Sequence, residues 1–183
     1  VDFLLEFLAE LQARAHAHGV ADKITTLNCS MDALPFAEGE FDAIWSEGAI
    51  YNIGFEAGVS AWSSFLKPGG KLIVSEITWL SAARPMEIQT HWQTEYPEID
   101  VASAKIRALE RHGYSPQGYF SLPVNCWLEN YYRPMQNRFD AFLERHDHNE
   151  QARAIVEAEQ REIALYEKFR DYYSYGVYVA KKL

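Results

Sequence analysis

With 183 residues, 48% hydrophobic and 23% charged, the chain is long enough for one packed domain and ordinary for a globular protein. A net charge of -9 is opposite to that of a phosphate-neutralising surface, which argues against nucleic acid as a partner. No apolar run is long enough to span a bilayer, and Cys29 and Cys126 give neither a disulfide framework nor a metal-site spacing. Buried thiols in a reducing cytoplasm, with no signal segment, are the expectation.

The first residues predict a helix. Leu4, Leu8, Leu11 and Ala15 recur at three- and four-residue steps, Asp2 stands where an N-cap would, and Gly19 offers a stop. Ile24 to Asn28, rich in β-branched residues, reads as a short strand. The proline-containing stretch Ser30 to Phe36 reads as a loop, and Glu38-Gly39-Glu40 as a turn. Asp42 to Ser46 is expected as a strand buried on both faces.

Phe55 to Leu66 fits a helix closed by Lys67-Pro68-Gly69-Gly70, and Lys71 to Glu76 is the most secure strand. A helix carrying Met86, Ile88 and Trp92 is expected from Arg84 to about Tyr96, and another, capped by Asp100, up to Gly113. Tyr114 to Leu122 reads as a strand, Val124 to His146 as a helix interrupted by Pro134, and Asn149 to Tyr173 as the longest helix. Gly176 to Ala180 closes the chain as a strand. Alternation of this kind predicts an α/β fold, one domain over 1–183, with a largely parallel sheet covered on both faces. Segments at about 84–97 and 124–146 are expected as helical lid insertions over the strand ends.

Function is expected where the apolar run Phe41 to Trp45 ends in Ser46-Glu47-Gly48, because ligands of open α/β sheets bind at the carboxyl ends of strands. Glu47, Tyr51 and Glu76 are the candidate general bases by position. Tyr51, Trp79, Trp92 and Trp127 are the candidate substrate-pocket residues. Together with Tyr96, Tyr131, Tyr132, Tyr172, Tyr173 and Tyr175, these aromatics read either as an apolar pocket able to cradle a cation or as core packing. No metal is expected: His16 and His18 are two apart on a helix, and His146-Asp147-His148 reads as a solvated junction.

Four segments occur in a telling order: Asp2, then Ser30-Met31-Asp32-Ala33-Leu34-Pro35-Phe36, then Phe41-Asp42-Ala43-Ile44-Trp45-Ser46-Glu47, then Leu66-Lys67-Pro68-Gly69-Gly70-Lys71-Leu72. This series resembles the class I S-adenosylmethionine-dependent methyltransferases. The longer run from Trp45 to Phe55 is similar to a subgroup acting on small molecules.

The resemblance implies a Rossmann-like, mostly parallel sheet with an antiparallel last strand, and S-adenosylmethionine as cofactor. It implies that Asp2 accepts from the ribose hydroxyls, that Asp32 receives the adenine amino group, and that Met31 packs on the ring. Phe3 and Ser30 are expected beside them, with Ser46 and Glu47 facing the methionine part. It further implies a first strand and a glycine-rich loop ahead of Asp2. Only Val1 precedes Asp2 and no Gly-x-Gly occurs, so an N-terminally truncated domain is expected.

The expected partner is a small-molecule substrate, with no nucleic acid and no membrane, and with homodimerisation left open. Two other functions are weighed. One is a non-catalytic binding protein that kept the fold; the other is a nicotinamide-dependent oxidoreductase. The Met31-Asp32 loop and the Lys67-Pro68-Gly69-Gly70 turn favour the methyltransferase over the oxidoreductase.

Overall fold

The computed structural model describes residues 1–183. Its strands are β1 (Phe41–Ser46), β2 (Leu66–Trp79), β3 (Asp100–Val101), β4 (Tyr114–Ser121) and β5 (Tyr173–Lys182). They form one sheet in the order β1-β2-β5-β4, with β3 beside the end of β2. β1 and β3 run parallel to β2, while β5 runs antiparallel to both β2 and β4. The last strand is therefore the reversed one, and the others share a direction.

Side chains alternate across a strand, so β2 feeds two cores. Leu72 and Val74 face a cluster with Ile50, Phe55, Val59 and Trp62, beneath α2 (Phe55–Ser63) and α4 (Ala102–Arg111). Ile77 and Trp79 face a second cluster with Trp127, Tyr132, Ile163, Tyr166 and Tyr173. That second face is covered by α3 (Met86–Glu95), α5 (Val124–Trp127) and α8 (Glu150–Phe169). Helices thus cover both faces.

Several expectations change in detail. The strand expected at Ile24 to Asn28 is reduced to one isolated parallel bridge, Asp2 to Asn28, with the Asp2 N–H donating to the Leu27 carbonyl at 3.1 Å. A ladder needs successive paired residues, and only one pair forms. Within residues 1–183 β1 pairs with β2 alone, and its side chains are half-buried or exposed rather than buried on both faces. Trp45 is 70% exposed.

In α1 (Leu5–Ala17) only Leu8 and Ala15 of the expected apolar face are buried, while Leu4 and Leu11 stay exposed. Asp2 does not cap α1 in the expected manner. The N-cap is Leu4, and Asp2 Oδ1 instead accepts from the Leu4 N–H at 2.8 Å.

Lys67-Pro68-Gly69-Gly70 does not separate helix from strand. It bulges out within β2, so that Phe41 pairs with Leu66 and Ala43 with Lys71. Asp100 lies in β3 rather than capping a helix. The break expected at Pro134 also moves. A π-helical turn, Leu128–Tyr132, runs from α5 into α6 (Arg133–Gln136), and the chain bends at Asn137 and Arg138 before α7 (Phe139–Arg145). Pro134 has no N–H to give the Asn130 carbonyl, and the widened turn precedes it directly. Asn149 caps α8, its Oδ1 accepting from the Ala152 N–H at 2.8 Å.

Two glycines are fixed by geometry around the strand end. Gly48 has φ +54 and donates its N–H to Ser75 Oγ at 2.7 Å. Gly54 has φ +84, and a Cβ there would lie 2.9 Å from Glu98 Oε1. Glu98 Oε2 in turn accepts from the Phe55 N–H at 3.1 Å, holding the start of α2. Replacing Gly54 by alanine is expected to cost about 1–3 kcal/mol, from left-handed backbone strain and displacement of Glu98. Chemical denaturation checks this; an unchanged midpoint would show that the loop accommodates the methyl group.

Candidate active site

Two cavities meet at the end of β1. The first is a cleft of about 850 Å³ between the N-terminal segment, the Cys29 to Phe36 loop and β1. All seven residues expected to hold the cofactor line it: Asp2, Phe3, Ser30, Met31, Asp32, Ser46 and Glu47. The second is an aromatic chamber of about 560 Å³ on the sheet face covered by α5 and α8. Only Trp45 and Glu47 line both.

The cleft is built locally. The indole N–H of Trp62 donates to the Met31 carbonyl at 3.2 Å, fixing the loop that carries Met31 and Asp32 onto α2. Phe36 packs edge-on against Phe41 at 4.7 Å and against Phe65 at 6.0 Å, anchoring the far end of that loop. The Asn28 amide donates to the Asp2 and Phe3 carbonyls at 3.2 and 2.9 Å, tying the N-terminal wall to the other side. Three carboxylates, Asp2, Asp32 and Glu47, border the cleft, and no lysine, arginine or histidine does. Its mouth is apolar, with Phe3 74% exposed.

The chamber draws on more distant parts of the chain. β2 contributes Ile73, Ser75 and Ile77, which alternate onto this face, and β5 contributes Tyr175 and Val177. Tyr51, Trp92, Trp127, Tyr131 and Glu162 complete its aromatic and acidic lining. Trp127 is held rigidly. It stacks on Tyr166 at 4.6 Å and on Tyr175 at 5.1 Å, and its N–H donates to Ser174 Oγ at 2.9 Å.

Glu162 Oε1 accepts from the Tyr132 hydroxyl at 2.9 Å. Burial raises the Tyr131 hydroxyl above the ordinary tyrosine range, and the nearby Glu162 and Glu159 carboxylates push it further. Burial lifts Tyr175 in the same way, with Tyr51 and then Glu76 adding to it.

The substrate-pocket candidates divide. Tyr51, Trp92 and Trp127 line the chamber, whereas Trp79 lies beyond it in the second core, 4% exposed, with the Arg84 guanidinium 4.3 Å above its ring. Among the candidate bases, Glu47 and Tyr51 border the chamber and Glu76 does not. Glu76 follows Ser75 and so points to the opposite face, where it is fully buried.

There Glu76 Oε1 lies 3.5 Å from Lys105 Nζ, and Glu76 Oε2 has no partner. Lys105 is 5% exposed and makes its shorter bond, 2.8 Å, to the Glu98 carbonyl. Burial pushes the Glu76 carboxyl up, against the pull of Lys105, and burial likewise pushes Lys105 down. This is a structural ion pair rather than a site group.

Both cysteines are free and only half-buried, Cys29 in the cleft wall and Cys126 in the chamber wall. Sequence reasoning missed Glu162 and the double role of Trp45. α8 carries five glutamates, and nothing local singles out Glu162 until its neighbours Ile163 and Tyr166 are seen to face the core. Trp45 reads as core in a strand buried on both faces; its ring is instead exposed, and its N–H donates to Glu47 Oε1 at 2.9 Å.

Residues 1–74 match the model of a methyltransferase domain. No curated protein matches the chain in sequence. Among solved structures, YjhP from E. coli is 18% identical, with TM-score 0.84, covering 99% of this chain and 74% of that one. A SAM-dependent methyltransferase from Geobacter sulfurreducens, solved with S-adenosyl-L-homocysteine, is 18% identical, with TM-score 0.81, covering 96% and 71%. The [4+2]-cyclase SpnF is also 18% identical, with TM-score 0.71, covering 93% of this chain but 60% of its own. The chain therefore spans between three fifths and three quarters of these structures. Fold and family match agree: the chain has the class I S-adenosylmethionine-dependent methyltransferase fold, and its first 74 residues match the methyltransferase domain.

Proposed function

We propose that the protein transfers a methyl group from S-adenosylmethionine to a small molecule, with the cleft holding the donor and the chamber holding the acceptor. The observation that carries this reading is the single wall, Trp45 and Glu47, shared by the two cavities. A donor in one and an acceptor in the other meet at that wall.

The residues of the cleft fit such a donor. Its volume, about 850 Å³, is within the range of small-molecule sites. Carboxylates accept from ribose hydroxyls and from amino groups, which suits Asp2, Asp32 and Glu47. Met31 offers a polarizable thioether to an aromatic ring. When bound, S-adenosylmethionine supplies an electrophilic sulfonium methyl group. The chain's part is to align the acceptor, exclude water and remove a proton where the acceptor carries one. Glu47 and Tyr51, which line the chamber, are the candidates for the last task.

The same electrostatics disfavour a nicotinamide dinucleotide. Its anionic pyrophosphate would meet Asp2, Asp32 and Glu47 with no basic side chain in the cleft lining. Thermal denaturation separates the two readings. S-Adenosylhomocysteine at about a hundred times its Kd contributes about 2.7 kcal/mol and raises Tm by several degrees. NAD at the same concentration is expected to leave Tm unchanged. The reverse pattern would overturn the proposal.

A further inference from the structure

We propose that the acceptor bound in the aromatic chamber carries a positively charged or protonable amine, with Glu162 as its charge partner. This rests on the methyltransferase reading for the word acceptor, but the binding it describes does not depend on the donor.

The chamber is lined by the rings of Tyr51, Trp92, Trp127, Tyr131 and Tyr175. Aromatic faces attract cations through the ring quadrupole, and with Tyr51 and Tyr131 44% and 52% exposed the chamber is open for a ligand to enter. The carboxylates of Glu47 and Glu162 border the same space, while no lysine, arginine or histidine does. A phosphate or carboxylate there would face two like charges with no compensating cation.

One Glu47 oxygen is occupied by the Trp45 N–H. Glu162 is anchored by the Tyr132 hydroxyl through Oε1, on the helix side of the chamber. Trp127, clamped between Tyr166 and Tyr175, has its ring faces covered and serves as a fixed wall, leaving Tyr51, Trp92 and Tyr131 as the rings to meet a cation. A preorganised aromatic box with an acidic partner is how quaternary and protonated amines are held.

The test is quenching of intrinsic tryptophan fluorescence in the full-length protein, without any methyl donor. Choline is the cationic probe, 3,3-dimethylbutan-1-ol its uncharged isostere and 3,3-dimethylbutanoate an anion of similar size. Choline is expected to saturate and to bind at least ~10-fold more tightly than the alcohol; the anion is expected not to bind. Glu162→Gln keeps an oxygen for the Tyr132 hydroxyl, so the helix contact survives, and it is expected to weaken choline about 10-fold.

Glu157→Gln makes the same change in net charge five residues away, outside the chamber lining and on the exposed side of α8, and is expected to leave choline affinity unchanged. Equal binding of choline and the alcohol, or equal losses in the two variants, would overturn the proposal. Neither result would touch the donor reading, which is tested by S-adenosylhomocysteine alone.

Discussion

Lys105→Met is expected to destabilise the fold by about 3–5 kcal/mol at neutral pH, enough to lower Tm by roughly 10 °C or more. Lys105 is the only cation beside the buried Glu76, whose second oxygen already lacks a partner. Removing it leaves a fully buried carboxylate uncompensated. Lys105 also donates to the Glu98 carbonyl at 2.8 Å, and Glu98 holds the first N–H of α2 beyond the Gly48 to Gly54 loop. The loss therefore reaches the wall of the site.

The pH dependence has a definite sign. Burial raises the folded carboxyl of Glu76 above its unfolded value, and removing Lys105 takes away the group that lowers it. A group so raised contributes stability below the unfolded value and loses it as pH rises through the folded one. The variant is therefore expected to be least impaired in acid and most impaired at neutral and alkaline pH. Adding Glu76→Gln to Lys105→Met is expected to recover much of the loss at neutral pH. Denaturation of both variants across pH checks this; a flat difference from the parent would show that the carboxyl is not the cause.

Asp32→Ala is expected to weaken S-adenosylhomocysteine binding by ~10- to 100-fold, the range for a lost hydrogen bond to a charged acceptor. Asp32 borders the cleft on a loop fixed independently by the Trp62 bond to the Met31 carbonyl and by the Phe36 cluster, so the loop is expected to keep its place. Equilibrium dialysis with labelled ligand measures the change. Unchanged affinity would remove Asp32 from the site.

How much of this was legible in the residues depends on distance along the chain. The cleft comes largely from Asp2, the Ser30 to Phe36 loop and the end of β1, which lie close together in the sequence, and short motifs mark each piece. The chamber needs β2, the π turn, α8 and β5 together, and no local pattern reports that Glu162 and Tyr51 face the same space.

Glu76 misled for a definite reason. Ser-Glu closes an apolar run at Ser46-Glu47 and again at Ser75-Glu76, but the parity of the strand sends Glu76 to the other face. Trp79 keeps the parity of Ser75 and Ile77, yet lies past the end of the chamber.

The most direct measurement is a crystal structure of the full-length gene product with S-adenosylhomocysteine. The expected result puts the adenine beside Met31 and Asp32, the ribose at Asp2 and the amino-acid part toward Glu47, leaving the aromatic chamber open to the acceptor. Ligand density inside the chamber, or none in the cleft at saturating concentration, would contradict the assignment of the two cavities.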